Sequence, residues 1–207
     1  MLSQDEFAAL AAQGHNRIPL MREVLSDLDT PLSVYLKFAD GPYTYLLESV
    51  QGGENWGRYS IIGLPCRRVF KLFGTRLEVE EHGSVVERRE LADPLGEIER
   101  LRASYKVPQL ADMPEFSGGL VGYFGFESIA YIEQRLRHDA KPDKLGTPDV
   151  LLMLSEEVAV FDNVSGRLYL IVHALTRQPR FQYVVVGGDC TISAQRTHCP
   201  DRPSTAE

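Results

Sequence analysis

A chain of 207 residues with 43% hydrophobic content is long enough to bury a proper core, which excludes a disordered protein and allows one large domain or two small ones. Its net charge of -7 leaves no basic face for a phosphate backbone, so nucleic acid is excluded as a partner. No apolar run reaches the roughly eighteen residues of a membrane helix, and the start, Met1-Leu2-Ser3-Gln4-Asp5-Glu6, is acidic. A soluble, cytoplasmic chain without a membrane partner is expected. The three cysteines, Cys66, Cys190 and Cys199, are odd in number and lack Cys-x-x-Cys spacing, which predicts free thiols rather than a disulfide framework.

The first element is a helix with strong start signals: Ser3 as cap, Glu6 three residues on, Leu2 able to staple onto Phe7, and Gly14 to end it. Asn16 to Pro19 reads as extended, followed by a short helical piece through Glu23, Val24 and Leu25 to Leu28. Thr30-Pro31 breaks that piece. Leu32, Val34, Leu36 and Phe38 then alternate with Ser33, Tyr35 and Lys37, the period of a strand. Gly41-Pro42 turns the chain into a second strand ending at Glu48-Ser49. Residues 58–63, 67–73, 77–81 and 85–89 follow as an antiparallel meander with turns at Gly74-Thr75 and His82-Gly83. Asp93-Pro94 opens a helix with Leu95, Ile98 and Leu101 at helical spacing, closing before Val107-Pro108.

A glycine-rich run from Phe116 to Glu127 leads into an expected helix over 128–136. Strands are predicted at 150–154, 158–162 and 167–173, the last two joined by Asn163-Val164-Ser165-Gly166. These elements give an α+β class with a mostly antiparallel sheet and flanking helices. Two segments are expected: a domain over 1–174, and a divergent tail over 175–207. The tail carries prolines, scattered arginines and one apolar burst, a strand at 181–186, with disorder past Ser193.

Little of the sequence carries recognisable chemistry. Gly119, Gly122 and Gly125 lack the Gly-Lys-Ser/Thr or Gly-x-Gly-x-x-Gly context of a phosphate cradle, so close backbone approach explains them better. His198, Cys199 and Cys190 fall short of the four ligands of a structural zinc. No hydrolase motif is present, and no catalytic residue, metal ligand or cofactor is assigned.

The informative stretch is Tyr45 to Gly63. Glu48, Ser49, Arg58 and Ser60 interrupt apolar, strand-like runs there, and polar groups in a half-buried strand need partners. Side chains alternate along a strand, so Glu48 shares a face with Leu46, and Ser49 with Leu47. Both reach one ligand only if regular pairing ends or bulges there. Two readings follow from the residues: Glu48 and Ser49 hold the ammonium group of a small zwitterion, or Arg58 neutralises Glu48 internally.

Leu46-Leu47-Glu48-Ser49, the run Gly57 to Gly63, Pro114 to Tyr123, Pro148-Asp149 and Phe161-Asp162-Asn163 occur in an order that resembles the N-terminal region of anthranilate synthase component I. The resemblance spans about residues 1–174 and implies the N-terminal part of that family's α/β/β/α sandwich. It carries feedback binding of L-tryptophan onto Leu47, Glu48 and Ser49, and leaves Arg58 and Ser60 as support. In the complete enzyme of tryptophan biosynthesis, a lyase, chorismate and ammonia from a glutamine amidotransferase subunit give anthranilate and pyruvate. The resemblance assigns that chemistry, with its Mg2+, to a C-terminal domain whose motifs do not occur here, so this chain is not expected to be catalytic alone. Truncation or a frame change after Ala174 is the accompanying expectation. Two further readings stay open: the related aminodeoxychorismate synthase component I of folate biosynthesis, and a free-standing amino-acid-binding or interaction module.

Overall fold

The computed structural model describes residues 2–48, 57–133, 135–136, 144–176, 183–186 and 191–194. Helix α1 (Gln4–Ala12) forms where expected. Ser3 caps it by accepting from the Glu6 amide at 3.3 Å, while the Ser3 amide donates to Glu6 Oε2 at 2.7 Å. Gly14 follows at φ 90°.

The next two elements exchange the types that the sequence predicts. Strand β1 (Arg17–Leu25) stays extended through the segment expected to be helical, because all nine residues pair antiparallel with the chain near its far end, Arg17 opposite Leu175 and Leu25 opposite Arg167. Pro19 is tolerated because β1 is an edge strand, with one neighbour only. The expected strand over 32–38 is helix α2 (Pro31–Phe38) instead. Thr30 and Ser33 form a reciprocal cap at 2.9 and 3.1 Å, and Pro31 occupies the first turn, where its missing N–H costs nothing. Val34, Tyr35 and Phe38 then face the sheet, leaving Leu32 and Leu36 outside.

The remaining elements are β2 (Tyr45–Glu48), β3 (Tyr59–Gly63), β4 (Arg68–Phe73), β5 (Arg76–Glu81), β6 (Ser84–Glu90), α3 (Pro94–Ser104), β7 (Gly119–Phe124), a 3-10 helix (Phe126–Tyr131), β8 (Val150–Ser155), β9 (Glu157–Asp162), β10 (Arg167–Leu175), β11 (Tyr183–Val186) and β12 (Thr191–Ala194). The part of the meander over β4 to β6 and helix α3 match the sequence reading, but β3, expected as the first strand of that meander, pairs with β2 and β9 in a different sheet and not with β4. A 3-10 helix replaces the start of the α-helix expected over 128–136. The strand expected at 181–186 is β11, which pairs antiparallel with β12, a strand not foreseen. The rest of the expected tail, including Cys190 and Cys199, lies outside the described residues.

Two five-stranded antiparallel sheets result, in the orders β1-β10-β9-β3-β2 and β6-β5-β4-β8-β7. The α+β class with mostly antiparallel sheet is therefore observed. The first sheet is covered on both faces. Val34 of α2 packs with Ile62, Ala159, Phe161 and Leu170, while Met113 and Phe116 cover Val158, Val160 and Ile171 on the other side. That explains the unbroken apolar run of β9, since alternate residues face two different cores. In the second sheet, Ile98 and Leu101 of α3 pack on Leu72, Val79, Val150 and Leu152.

The sheets join where β3 runs into β4 and β8 into β9, the latter across Glu156 alone. Within the second sheet, close approach of β7 to β8 requires glycine. A Cβ on Gly122 would lie 1.8 Å from the Leu151 carbonyl oxygen, so the glycine-rich run is the edge strand β7 pressed against β8. No helix among the described residues is long and apolar enough to cross a membrane.

Candidate functional site

Four of the five residues singled out in the sequence fall within the described structure, at one end of the first sheet. In the β2–β3 ladder Glu48 stands opposite Ser60, and Leu47 opposite Ile61. Strand alternation puts Glu48 on the face of Leu46, which packs toward α2, and sends Leu47 to the other face. Both Leu47 and Glu48 are exposed, and Glu48 has no ion pair with any described residue. β2 is described as far as Glu48, and Ser49 lies outside the described residues.

The internal Glu48–Arg58 pair is not formed. Arg58 instead donates from Nε (3.2 Å) and Nη2 (3.0 Å) to Asp162 Oδ2, at the end of β9. Asp162 is fully buried, yet its second oxygen accepts the amides of Val164 (3.0 Å) and Ser165 (3.3 Å), so every part of the carboxylate is used. Burial pushes its pKa up, but the Arg58 guanidinium and these amides outweigh it and hold the carboxyl below its ordinary value. Asn163 completes the clasp. Its side-chain amide donates to the Ser60 hydroxyl and the Gly57 carbonyl, both at 3.1 Å, and its backbone amide donates to the Arg58 carbonyl at 2.8 Å. The sequence showed Asp162 and Asn163 as a strand end, a turn and one block of the family resemblance, but not their partners, which lie more than a hundred positions away.

The opposite end of the same sheet, at the junction, is also polar. Tyr45 and Ser155 share a hydrogen bond of 2.7 Å, Arg17 Nε donates to Glu156 Oε1 at 2.6 Å, and His173 Nε2 donates to the Ser117 carbonyl at 2.8 Å. Burial raises the Tyr45 phenol to about 12 despite the bond to Ser155, and raises the nearby Cys66 thiol to about 11. A cavity of about 420 Å3 opens beside Arg17, Tyr105, Ser155, Glu156 and His173. None of these residues stood out in the sequence, since each is an isolated polar residue that only the fold assembles.

No family model matches the chain. It is 55% identical over 182 residues to anthranilate synthase component 1 of Neisseria meningitidis serogroup C, covering 86% of this chain and 37% of that protein. Identity is 54% over 173 residues to the protein of that name from Pseudomonas aeruginosa, covering 84% and 35%, and 33% over 164 residues to the one from Acetivibrio thermocellus, covering 79% and 33%. The crystal structure of anthranilate synthase component I from Streptococcus pneumoniae TIGR4 is similar to 74% of this chain and 32% of its own, at 25% identity and a TM-score of 0.44. The chain thus spans about a third of the length of the curated relatives it matches. With more than half of the aligned residues identical over most of its length, the chain matches the N-terminal region of proteins named anthranilate synthase component 1.

Proposed function

We propose that this chain is the regulatory and scaffold portion of an anthranilate synthase component I, and that Leu47, Glu48 and Ser49 supply part of a feedback site for L-tryptophan. The observation that carries the reading is the commitment of Arg58 to Asp162, which leaves the Glu48 carboxylate exposed and without an ionic partner among the described residues. A carboxylate held at the end of a paired strand suits the ammonium group of a small zwitterion. Ser60 and Arg58 support the site from beneath: Ser60 fixes the register opposite Glu48, and Asn163 holds Ser60. The complete relatives' conversion of chorismate, the Mg2+ that would stabilise its departing charge and the docking of a glutamine amidotransferase subunit belong, in this proposal, to the part of the relatives that the chain does not match.

The test transplants residues 1–176 into the Pseudomonas aeruginosa relative in place of its matching segment and measures tryptophan inhibition of anthranilate formation. Inhibition is expected, and Glu48→Gln should weaken it about tenfold, as loss of a hydrogen bond to a charged group does. Inhibition unchanged by Glu48→Gln would remove Glu48 from the site. A chimera that makes anthranilate but ignores tryptophan would leave the segment a scaffold without a regulatory role.

A further inference from the structure

The cavity at the junction of the two sheets lies outside the proposed feedback site. Its volume, about 420 Å3, falls in the range of about 300–1,000 Å3 typical of small-molecule sites. One wall is apolar, built from Leu120 and Phe124 of β7 and Leu152 and Leu154 of β8. The other carries Arg17, Tyr105 and Arg102, whose hydrogen-bonding capacity is only partly used. Arg17 sends Nε to Glu156 and Nη1 to the Asn16 carbonyl, and Nη2 has no acceptor among the described residues. Its guanidinium lies over the Tyr105 ring at 5.3 Å. The Tyr105 hydroxyl likewise has no partner among the described residues, and Arg102 engages Glu99 through Nε and Nη2 only.

Charge decides which ligand suits these donors. Burial raises the Tyr105 pKa, so the phenol remains a donor at neutral pH. Arg68 and Arg17 act on the hydroxyl as positive charges, against Glu156 and Glu81. His173 is held neutral by burial and adds no charge. Arg17 and Arg102 against Glu156 leave the lining with one net positive charge, the match for one negative charge rather than two. The apolar wall, which includes the Phe124 ring, favours a ring.

We infer that this cavity binds a small aromatic monocarboxylate, with its ring against Leu120, Phe124, Leu152 and Leu154 and its carboxylate at the free donors of Arg17 and Tyr105. The site sits beside Ser155, which bonds Tyr45, and Tyr45 is three residues before Glu48 on β2. Its occupant would therefore touch the sheet end opposite the proposed feedback site.

Titration calorimetry on the full chain, with benzoate, benzamide and acetate as probes, tests the inference. Benzoate is expected to bind saturably, with benzamide and acetate each at least about tenfold weaker because each lacks one of the two matched features. Tyr105→Phe removes only a hydroxyl that has no partner among the described residues, so its fold and melting temperature should stay unchanged while benzoate weakens about three- to tenfold. Leu120→Trp should abolish binding by filling the cavity. Glu48→Gln should leave benzoate affinity untouched, which separates this site from the tryptophan reading. Absence of benzoate binding in the millimolar range, equal binding of benzamide, full affinity in Tyr105→Phe or loss in Glu48→Gln would each overturn the inference.

Discussion

The first sheet ends in two polar regions that solve the same problem differently. At the turn end, Asp162 is buried and ionised, and its charge is satisfied by an Arg58 that itself reaches solvent, its side chain 60% exposed. At the junction end, beside the Arg17–Glu156 ion pair, Tyr45, Ser155 and His173 are satisfied by hydroxyls and a backbone carbonyl without a formal charge among the three. An ionised clasp tolerates water and can carry a surface site beside it. A neutral, desolvated cluster instead requires shape, because a lost hydrogen bond there cannot be replaced by solvent.

The largest predicted effect tests shape at the junction. Tyr45 stands opposite Gly63 in the β2–β3 ladder, and a Cβ on Gly63 would lie 2.0 Å from the Tyr45 ring. The ring cannot swing aside without losing Ser155. Gly63→Ala should therefore cost about 3 kcal/mol of stability in urea denaturation, the upper range of overpacking effects. In a double-mutant cycle, Gly63→Ala combined with Tyr45→Ala should show strong non-additivity; additive losses would break the shape argument.

At the turn end, Asp162→Asn keeps the shape and removes the charge. About 2 kcal/mol should be lost, since hydrogen bonds to a charged group contribute about 1.5–3 kcal/mol each and water can resolvate Arg58. Tyr45→Phe should cost less, about 1 kcal/mol, by leaving the buried Ser155 hydroxyl without its partner. If Tyr45→Phe proves costlier than Asp162→Asn, the contrast between the two ends is inverted.

The parts of this fold that were legible in the sequence are those decided locally. The meander from β4 to β6 reads correctly because Gly74 and Gly83, both at positive φ, mark its turns. The exchange of β1 and α2 has a physical reason. Leu32, Val34, Leu36 and Phe38 fit a period of two, whereas Val34, Tyr35 and Phe38 fit a helix, and eight residues cannot separate the patterns. Capping at Thr30 and the distant pairing of β1 with β10 decided both elements. For the site, the β2–β3 ladder is regular through Glu48, as the strand-parity argument requires. The partner of Arg58 stayed hidden because Asp162 lies 104 residues away, beyond the reach of any spacing argument.

The smallest effect is also the one that separates the two ends by pH. Burial, reinforced by Arg17 and opposed by the Ser117 carbonyl and Glu156, holds His173 below its ordinary value of 6.5. As pH falls through about 6.5 the unfolded chain binds the proton first, so the His173 contribution is complete above that pH and is lost below it. Asp162 behaves later: its folded carboxyl lies below the ordinary 3.8, so its contribution persists until pH falls through that value. Glu157 at the junction opposes His173, because burial raises its pKa and the folded chain takes that proton first. The His173 share is isolated by His173→Gln, whose amide still donates to the Ser117 carbonyl. Urea midpoints measured from pH 7.5 to 5 should fall in the unaltered chain and fall less in His173→Gln. Parallel curves would mean that the junction, like the turn end, holds its polar groups without sensing protons in this range.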